Sequence, residues 1–354
     1  MNSPASRRVR TIAWGAIPVV LTGALVSLDH IPGTDVSLTV PYAAEGPGPT
    51  VDTLGEVDGT QVVDVQAPKT YDTDGHLNMT TVSVRTNMTL AQALGRWMMT
   101  DDTIVPIDTV IPQNMSDKEV EESNKQAFTQ SESAATLAAM DYLHLPVKIS
   151  IAEVLDKGAA QGKLKKDDVI TAVAGKDVSE PGEVQDIIKE KSPGDKVTMT
   201  VERGGKKHEE VIELGENPHQ KGQAMLGIAM LSVPQDDIKV KYNLQDIGGP
   251  SAGMMFTLAV IDKLSEEDLT GGKFVAGTGT IQEDGKVGPI GGIQHKIAAA
   301  HAAGAELFLA PQDNCSEAAA SDHGDMPIAE VSNLDEAIST MKDFADGKDI
   351  KPCQ

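Results

Sequence analysis

The residues best suited to chemistry lie in a short segment of small side chains, Gly248–Gly253 (GGPSAG), which contains Ser251. Small neighbours allow a substrate backbone to approach the serine hydroxyl closely. The apolar residues that follow, MMFTLAVIDKL, predict a helix, and the free N–H groups at a helix start stabilise a developing oxyanion. Ser251 therefore has the surroundings of a nucleophile. The alternative is that it only caps the helix, which is a very common role of serine.

A base for that hydroxyl is available in Lys296, the only formally charged residue between Val287 and Ala305. Its neighbours in sequence include Ile293 and Ile297, and burial among them would disfavour the ammonium form. Fully buried lysines can fall from a pKa of about 10.4 to as low as roughly 5–6. A neutral lysine can take the proton from a serine, as in a Ser-Lys dyad. The alternative is a solvated surface lysine, as most helix lysines are.

Together the two segments resemble the proteolytic domain of Lon proteases. The serine motif of that family, Gly-Pro-Ser-Ala-Gly, matches Gly249–Gly253. Its lysine motif, Pro-Ile-Gly-Gly, then three residues and Lys, matches Pro289–Lys296. Between the motifs the family has a Thr-Gly turn that enters a hairpin, and Thr278-Gly279 fits it. The resemblance covers about Gly222 to Ala345.

This resemblance implies a role for each matched residue. Ser251 would be the nucleophile, Lys296 the general base and Thr278 a hydroxyl that holds Lys296. Backbone N–H groups from Gly249 to Ala252 would bind the oxyanion, and Gly249, Pro250 and Gly253 are expected as further supporting residues beside Thr278. The sequence departs from the family pattern at Ile247-Gly248, where many members have Asp-Gly.

A rival interpretation of the serine segment is the nucleophile elbow of an α/β-hydrolase, Gly-x-Ser-x-Gly. An acid and a histidine should then follow, and Asp313 lies between His301 and His323. Against this, Pro250 directly precedes the serine, no His-Gly-Gly oxyanion motif occurs upstream, and Lys296 would have no role.

Residues 146–215 resemble a PDZ domain of the bacterial protease type, through segments such as Val154–Ala160 and Gly162–Ile170. The resemblance implies a small β-barrel or sandwich with helices, which binds an extended peptide as an added strand at a sheet edge. We place that edge at Ile149–Val154, with Ile149 and Ile151 as peptide-binding residues. The alternative is a PDZ fold that only spaces or shields the next domain.

Other elements must hold these motifs in place. Leu77–Val84 is β-rich and predicts a strand, and Thr89–Met99 predicts a short helix. Ser116 and Glu119 form a capping box that predicts a helix to about Leu143. The stretch from His30 to Tyr71 is rich in Pro, Gly, Thr and Asp and predicts a connector with irregular strands.

The amino terminus predicts a membrane anchor. Arg7, Arg8 and Arg10 precede an uncharged run of 18 residues, Thr11–Leu28. As a helix this run is just long enough for a hydrocarbon core of roughly 30 Å. The basic flank predicts a cytoplasmic amino terminus and extracytoplasmic domains. A cleaved signal peptide is the alternative.

The amino-acid composition and the absence of certain motifs argue against several classes of function. The 354 residues carry 30 Lys and Arg against 53 Asp and Glu, a formal net charge of -23 that argues against nucleic-acid binding. The eight histidines are scattered, so no metal site is predicted. No Gly-rich loop ends in Gly-Lys-Ser/Thr, so no nucleotide cofactor is expected. Outside the cytoplasm, Cys315 and Cys353 would form a disulfide; two independent thiols are the alternative.

The predicted fold is an α/β (α+β) Lon-type proteolytic domain with an inserted PDZ domain and one transmembrane helix. The expected division is an anchor (1–28), a connector with the first part of the catalytic unit (29–145), the PDZ domain (146–215), the protease domain (220–345) and a tail (346–354). The expected function is ATP-independent hydrolysis of unfolded or tail-exposed proteins, in a homo-oligomeric ring by analogy. A non-catalytic membrane-anchored PDZ adaptor is the alternative, against which the presence of both Ser251 and Lys296 argues.

Overall fold

A computed structural model describes residues 16, 22–23, 25–112, 115–218, 220–235, 238–244 and 247–354, with only the backbone of Asp117. The expected anchor at Thr11–Leu28 lies largely outside these described residues. Within them, no helix combines the length and apolarity needed to cross a membrane.

The helices have the following bounds: α1 (Leu90–Met99), α2 (Asp117–Tyr142), α3 (Pro181–Lys189), α4 (Gly253–Leu264), α5 (Ile293–Ala303), α6 (Cys315–Ala319) and α7 (Leu334–Ala345). The strands are β1 (Tyr42–Asp52), β2 (Glu56–Val57), β3 (Thr60–Gln61), β4 (Val63–Gln66), β5 (His76–Arg85), β6 (Thr103–Pro106), β7 (Val147–Val154), β8 (Val169–Val173), β9 (Lys176–Asp177), β10 (Lys196–Arg203), β11 (Lys206–Glu213), β12 (Gly215–Asn217), β13 (Gln220–Met225), β14 (Ile228–Pro234), β15 (Lys239–Tyr242), β16 (Phe274–Gly277), β17 (Thr280–Ile281), β18 (Val287–Gly288), β19 (Leu307–Pro311) and β20 (Ile328–Val331).

The larger unit is built on a mixed sheet with the strand order β20-β19-β16-β5-β1-β6. Neighbouring strands from β20 to β5 are parallel, whereas β1 pairs antiparallel with both β5 and β6. Its strands come from both sides of residues 147–234. Two distant parts of the chain therefore form one sheet.

Both faces of this sheet are covered, as a largely parallel sheet requires. Side chains alternate along the central strands: Val275 and Leu309 enter the core that contains α2, α4 and α7, whereas Ala276 and Phe308 enter the core that contains α5 and α6. Helices α4 and α5 therefore lie on opposite faces of the sheet.

A smaller unit lies between α2 and β15. Its antiparallel sheet has the order β11-β10-β8-β7-β14, and its separate core includes Val184 and Ile188 of α3. The core also contains Ala224 and Leu226, and β14 extends the sheet to Pro234. The boundary expected at residues 215–220 is therefore wrong, because the unit needs the segment up to Pro234 to complete its sheet and core.

Two other sequence expectations need correction. The irregular strands expected between His30 and Tyr71 include β1, but β1 is an internal strand of the central sheet rather than part of a connector. Along α1, the predicted face of Leu90, Ala93, Leu94 and Trp97 buries only Ala93, since Trp97 remains 66% exposed. The capping box predicted at Ser116 and Glu119 is present at the start of α2, and α1 begins with a second one at Thr89 and Gln92.

The carboxyl-terminal tail is fixed to the edge of the sheet. Cys353 forms a disulfide with Cys315 of α6. Its backbone N–H donates to the carbonyl of Ile328 at 2.9 Å, and Pro352 pairs with Ala329 of β20. The tail thereby covers an edge that would otherwise be open.

Loss of this disulfide should destabilise the larger unit. Its two cysteines are 38 residues apart, and in the chain-entropy model a loop of this length stabilises by about 4 kcal/mol. We expect the Cys315→Ala/Cys353→Ala variant to lose about 2–4 kcal/mol of unfolding free energy in urea. Wild type in reductant should match the variant. Equal urea midpoints for oxidised wild type and the variant would contradict the stabilising role.

Candidate active site

Ser251 lies in the turn before α4 and is fixed to the chain that leaves β16. Its carbonyl accepts hydrogen bonds from the N–H of Gly279 at 2.9 Å and from the hydroxyl of Thr278 at 3.0 Å. A further hydrogen bond links the first turn of α4 to the same segment, because the N–H of Met254 donates to the carbonyl of Gly279 at 3.1 Å. The nucleophile loop and the carboxyl end of the central sheet are therefore joined by a small network.

Lys296 approaches the same point from α5, on the other face of the sheet. Its Nζ lies 2.8 Å from Ser251 Oγ, 3.0 Å from Thr278 Oγ1 and 3.1 Å from the carbonyl of Thr80 on β5. The two helices meet at Thr278, the residue directly after the last residue of β16. Sites in open α/β sheets commonly form at the carboxyl ends of strands.

Burial controls the charge of Lys296. The residue is only 2% exposed, and desolvation lowers the pKa of its amine to about 8. At pH 7 about a tenth of the molecules would then carry a neutral amine. An exposed lysine would have a far smaller neutral fraction.

The hydrogen bonds also orient that neutral amine. The carbonyl of Thr80 can only accept, and Thr278 uses its own proton to bond Ser251's carbonyl. Both neighbours must therefore accept the two N–H groups of a neutral Lys296, which directs the nitrogen lone pair at Ser251 Oγ. The arrangement prepares a proton transfer from the serine to the lysine.

The glycines around the site serve close packing as well as substrate access. A Cβ on Gly253 would lie 2.7 Å from Ile281 Cγ2 and 2.8 Å from Ser131 Oγ, so a side chain there would displace the nucleophile loop. Gly249 differs, because it has a φ of +84° and open space around it. Gly253 therefore allows close packing, whereas Gly249 leaves space beside the nucleophile loop.

Two N–H groups near Ser251 are available for an oxyanion. Of the segment Gly249–Ala252, Pro250 has no N–H, and the N–H of Gly249 donates to the carbonyl of Asn124 at 2.9 Å. Within the described part of the chain, the N–H groups of Ser251 and Ala252 donate to no other group. The expected oxyanion donors are therefore reduced to these two.

Helix α2 supplies supports that the sequence motifs did not identify. Ser131 Oγ donates to the carbonyl of Pro250 at 3.1 Å, directly before the nucleophile. On the same helix, the backbone carbonyl of Asn124 accepts the hydrogen bond from the N–H of Gly249. The one signal of these contacts in the sequence is the row of small residues around Ser131, such as Ala127, Ala134 and Ala135, which is typical of a closely packed helix. The contact between Lys296 and the backbone carbonyl of Thr80 could not be predicted from the sequence, because every residue has a backbone carbonyl.

The histidines required by the hydrolase alternative have other contacts. His323 Nδ1 bonds the carbonyl of Met326 at 2.8 Å, and His301 packs against Gly324. His295 is buried but does not bond Ser251. Among described residues, no group of three or more His, Cys, Asp or Glu side chains could hold a metal ion.

The expected peptide edge at Ile149–Val154 is not open. Strand β7 is paired on both sides, by β8 and by β14, and both Ile149 and Ile151 are fully buried. Their expected role in peptide binding is therefore wrong, because β14 of the same chain occupies that edge.

The open edge belongs instead to β14, the last strand of that sheet. A groove of about 200 Å³ runs between β14 and α3, lined by Ile228 and Met230 on one side and Val184 and Ile188 on the other. Within the described residues, the N–H groups of Leu226 and Gly227 at its end donate to no other group. No role in peptide binding was predicted from the sequence for Met225–Ile228, the segment that forms this end of the groove.

Comparison with known proteins shows the family to which the chain belongs. The model of the Lon protease (S16) C-terminal proteolytic domain matches residues 161–342, more than half of the chain. Lon protease of Chloroflexus aggregans is 34% identical over 110 residues, 30% of this chain and 12% of that protein. Lon protease 1 of Sorangium cellulosum is 32% identical over 142 residues, 36% of this chain and 17% of that protein. The chain thus spans less than a fifth of the length of these curated relatives.

Solved structures similar to part of the chain include two PDZ domains. That of the SdrC-like protein from Listeria monocytogenes has 26% identity and a TM-score of 0.22, and covers 23% of this chain and 85% of its own. That of the SdrC-like protein from Listeria innocua has 27% identity and a TM-score of 0.22, and covers 23% of this chain and 92% of its own. From the family match over more than half of its length, the chain belongs to the Lon protease (S16) C-terminal proteolytic domain family and is a serine peptidase of that family.

Proposed function

We propose that this protein is an ATP-independent endopeptidase in which Ser251 attacks the peptide bond and Lys296 is the general base. The observation that carries the proposal is the 2.8 Å contact between Ser251 Oγ and a lysine that is only 2% exposed. The family match supports the same reaction class.

In the first half of the reaction, Ser251 Oγ attacks the substrate carbonyl carbon while its proton moves to Lys296 Nζ. The charge that develops on the carbonyl oxygen is stabilised by the N–H groups of Ser251 and Ala252. Lys296, now an ammonium, returns the proton to the leaving amine, and the peptide bond breaks. An acyl group remains on Ser251.

In the second half, a water molecule takes the place of the leaving amine. Lys296 removes a proton from this water, which attacks the acyl carbon, and then returns the proton to Ser251 as the acyl group leaves. Thr278 and the carbonyl of Thr80 hold the amine in position in both halves. One group thus serves as base and acid in turn.

We also propose that the groove between β14 and α3 binds a substrate or regulatory peptide as an added strand, as PDZ domains do. The sequence resemblance supports this, as do the free edge of β14 and the N–H groups at its end. Substrates would be unfolded or tail-exposed proteins, since the sequence contains no nucleotide-binding loop to support an unfoldase. The basic flank and apolar run at residues 7–28 support membrane anchoring with the catalytic unit outside the cytoplasm, and a homo-oligomeric ring is proposed by analogy only.

A membrane-anchored adaptor without catalysis is the second candidate function, favoured only by the presence of the groove. Fluorescent casein digestion without ATP separates the two. We expect wild type to cleave, and both Ser251→Ala and Lys296→Ala to lose at least about 10³-fold in kcat/KM. Ser133→Ala, an exposed serine on α2, is the matched control and should retain full activity. An active Lys296→Ala variant would exclude the dyad, and an inactive wild type would favour the adaptor.

The pH dependence should report the lysine. Because the neutral amine is the base, kcat/KM should rise with pH through about 8, where the pKa of Lys296 lies. Thr278→Val removes an acceptor that favours the ammonium, so its rising limb should move to lower pH, with a lower plateau from poorer orientation. Thr278→Ser should restore the wild-type profile. If kcat/KM of Thr278→Val rises at the same pH as that of wild type, a group other than Lys296 controls the rise.

The groove makes a separate binding prediction. Met230→Lys places a charge among apolar groove residues, whereas Leu231 points away on the same strand and is 47% exposed. With a pool of fluorescent peptides that end in apolar residues, Met230→Lys should weaken binding at least about tenfold, a change of about 1.4 kcal/mol. Leu231→Lys should bind as wild type does. Equal binding by the two variants would exclude this groove.

A further inference from the structure

A cavity of about 850 Å³ opens beside the nucleophile loop. Its walls come from α2, from the end of β5 at Val84, and from Ile247-Gly248. Gly248 is three residues before Ser251, so this wall and the nucleophile are at most about 10 Å apart along the chain. The cavity therefore lies within reach of a substrate side chain next to the bond under attack.

Helix α2 joins the cavity wall directly to the catalytic loop. Asn124 lines the cavity, and its carbonyl accepts the N–H of Gly249 at 2.9 Å. Farther along the helix, Ser131 holds the carbonyl of Pro250, and the next residue, Glu132, lines the cavity. The cavity and the nucleophile are thus fixed to each other by one rigid helix.

Half of the residues that line the cavity are apolar, which suits the aliphatic stem of a long side chain. They include Val84, Val110, Ile111, Val120, Phe128 and Ile247.

One charge in the cavity lacks a partner. Glu121 and Lys125 have opposite charges and lie on exposed positions of α2, whereas Glu132 is partly buried. No described residue makes a hydrogen bond or ion pair with the Glu132 carboxylate, and desolvation raises its pKa to about 7. A carboxylate removed from water without a partner is unfavourable, and a cation that entered the cavity would relieve that cost.

We propose that this cavity is a substrate subsite for a lysine or arginine side chain, whose cation pairs with Glu132 while its aliphatic stem packs on the apolar walls. The proposal rests on the proposed peptidase function and adds to it a preference for basic residues beside the cleaved bond. Glu132 thereby selects the substrate and takes no part in proton transfer.

Mapping of cleavage sites tests this subsite without an assumption about its position. Denatured casein is digested with wild type and variants, and the product ends are identified by mass spectrometry. In wild type, Lys and Arg should be enriched at one position beside the Ser251-dependent cuts. Glu132→Gln should lose the enrichment, and Glu132→Lys should replace it with Asp and Glu. Glu122→Gln is the matched control, because Glu122 is exposed on the same helix and does not line the cavity.

A pair of fluorogenic peptides then measures the selectivity. The peptides differ only at the enriched position, with Lys in one and norleucine, which has the same stem without the ammonium, in the other. Wild type should favour Lys at least about tenfold in kcat/KM, and this ratio should approach one in Glu132→Gln. Unchanged thermal midpoints would show that the variants are folded.

The outcomes separate the two proposals. Ser251-dependent cuts without basic enrichment, or an enrichment that survives in Glu132→Gln, would overturn the subsite and leave the peptidase function intact. A wild type without Ser251-dependent cuts would remove both.

Discussion

Removal of one amine from water is the interaction on which the rest of the site depends. Lys296 is 2% exposed, and burial alone lowers the pKa of its amine to about 8. A nearby carboxylate would restore the ammonium and end its use as a base. The residues that surround it instead offer a hydroxyl and a carbonyl, which orient the amine without a charge. The neutral, directed lone pair is what makes an ordinary serine hydroxyl reactive.

Such burial requires a sheet covered on both faces. Helix α4 brings Ser251 from one face and α5 brings Lys296 from the other, and the two meet where β16 ends. The smaller unit is inserted into this architecture rather than appended to it. Its last strand, β14, packs near α2 and leads along the chain through the cavity wall at Ile247-Gly248 to Ser251. One side of the groove, part of the cavity wall and Ser251 therefore lie on successive segments of one chain.

Much of the chemistry could be predicted from the sequence, because it is carried by short local motifs. Ser251 and Lys296 each stand in a distinctive segment, and the structure brings them together with Thr278. The supports on α2 could not be predicted in the same way. Ser131 and Asn124 act through contacts with residues more than a hundred positions away, and Asn124 uses only its backbone carbonyl.

The errors that concern the two sheets have a common physical cause, which is strand pairing between distant segments. Ile149 and Ile151 lie on a strand of the expected type, but β14, distant in sequence, covers the edge assigned to them. In the same way, β1 lacks a clear alternating pattern, yet the sheet requires it between β5 and β6. A local pattern predicts that a strand exists, whereas its neighbours depend on the whole chain.

Titration of Lys296 Nζ would show whether burial makes this residue a neutral base. Lysine labelled with nitrogen-15 would be followed by NMR between pH 6 and 11 in the full chain, with Lys296→Met used to assign the signal. We expect a midpoint for Lys296 at about 8. A midpoint for Lys296 near the ordinary value of 10.5 would contradict this expectation.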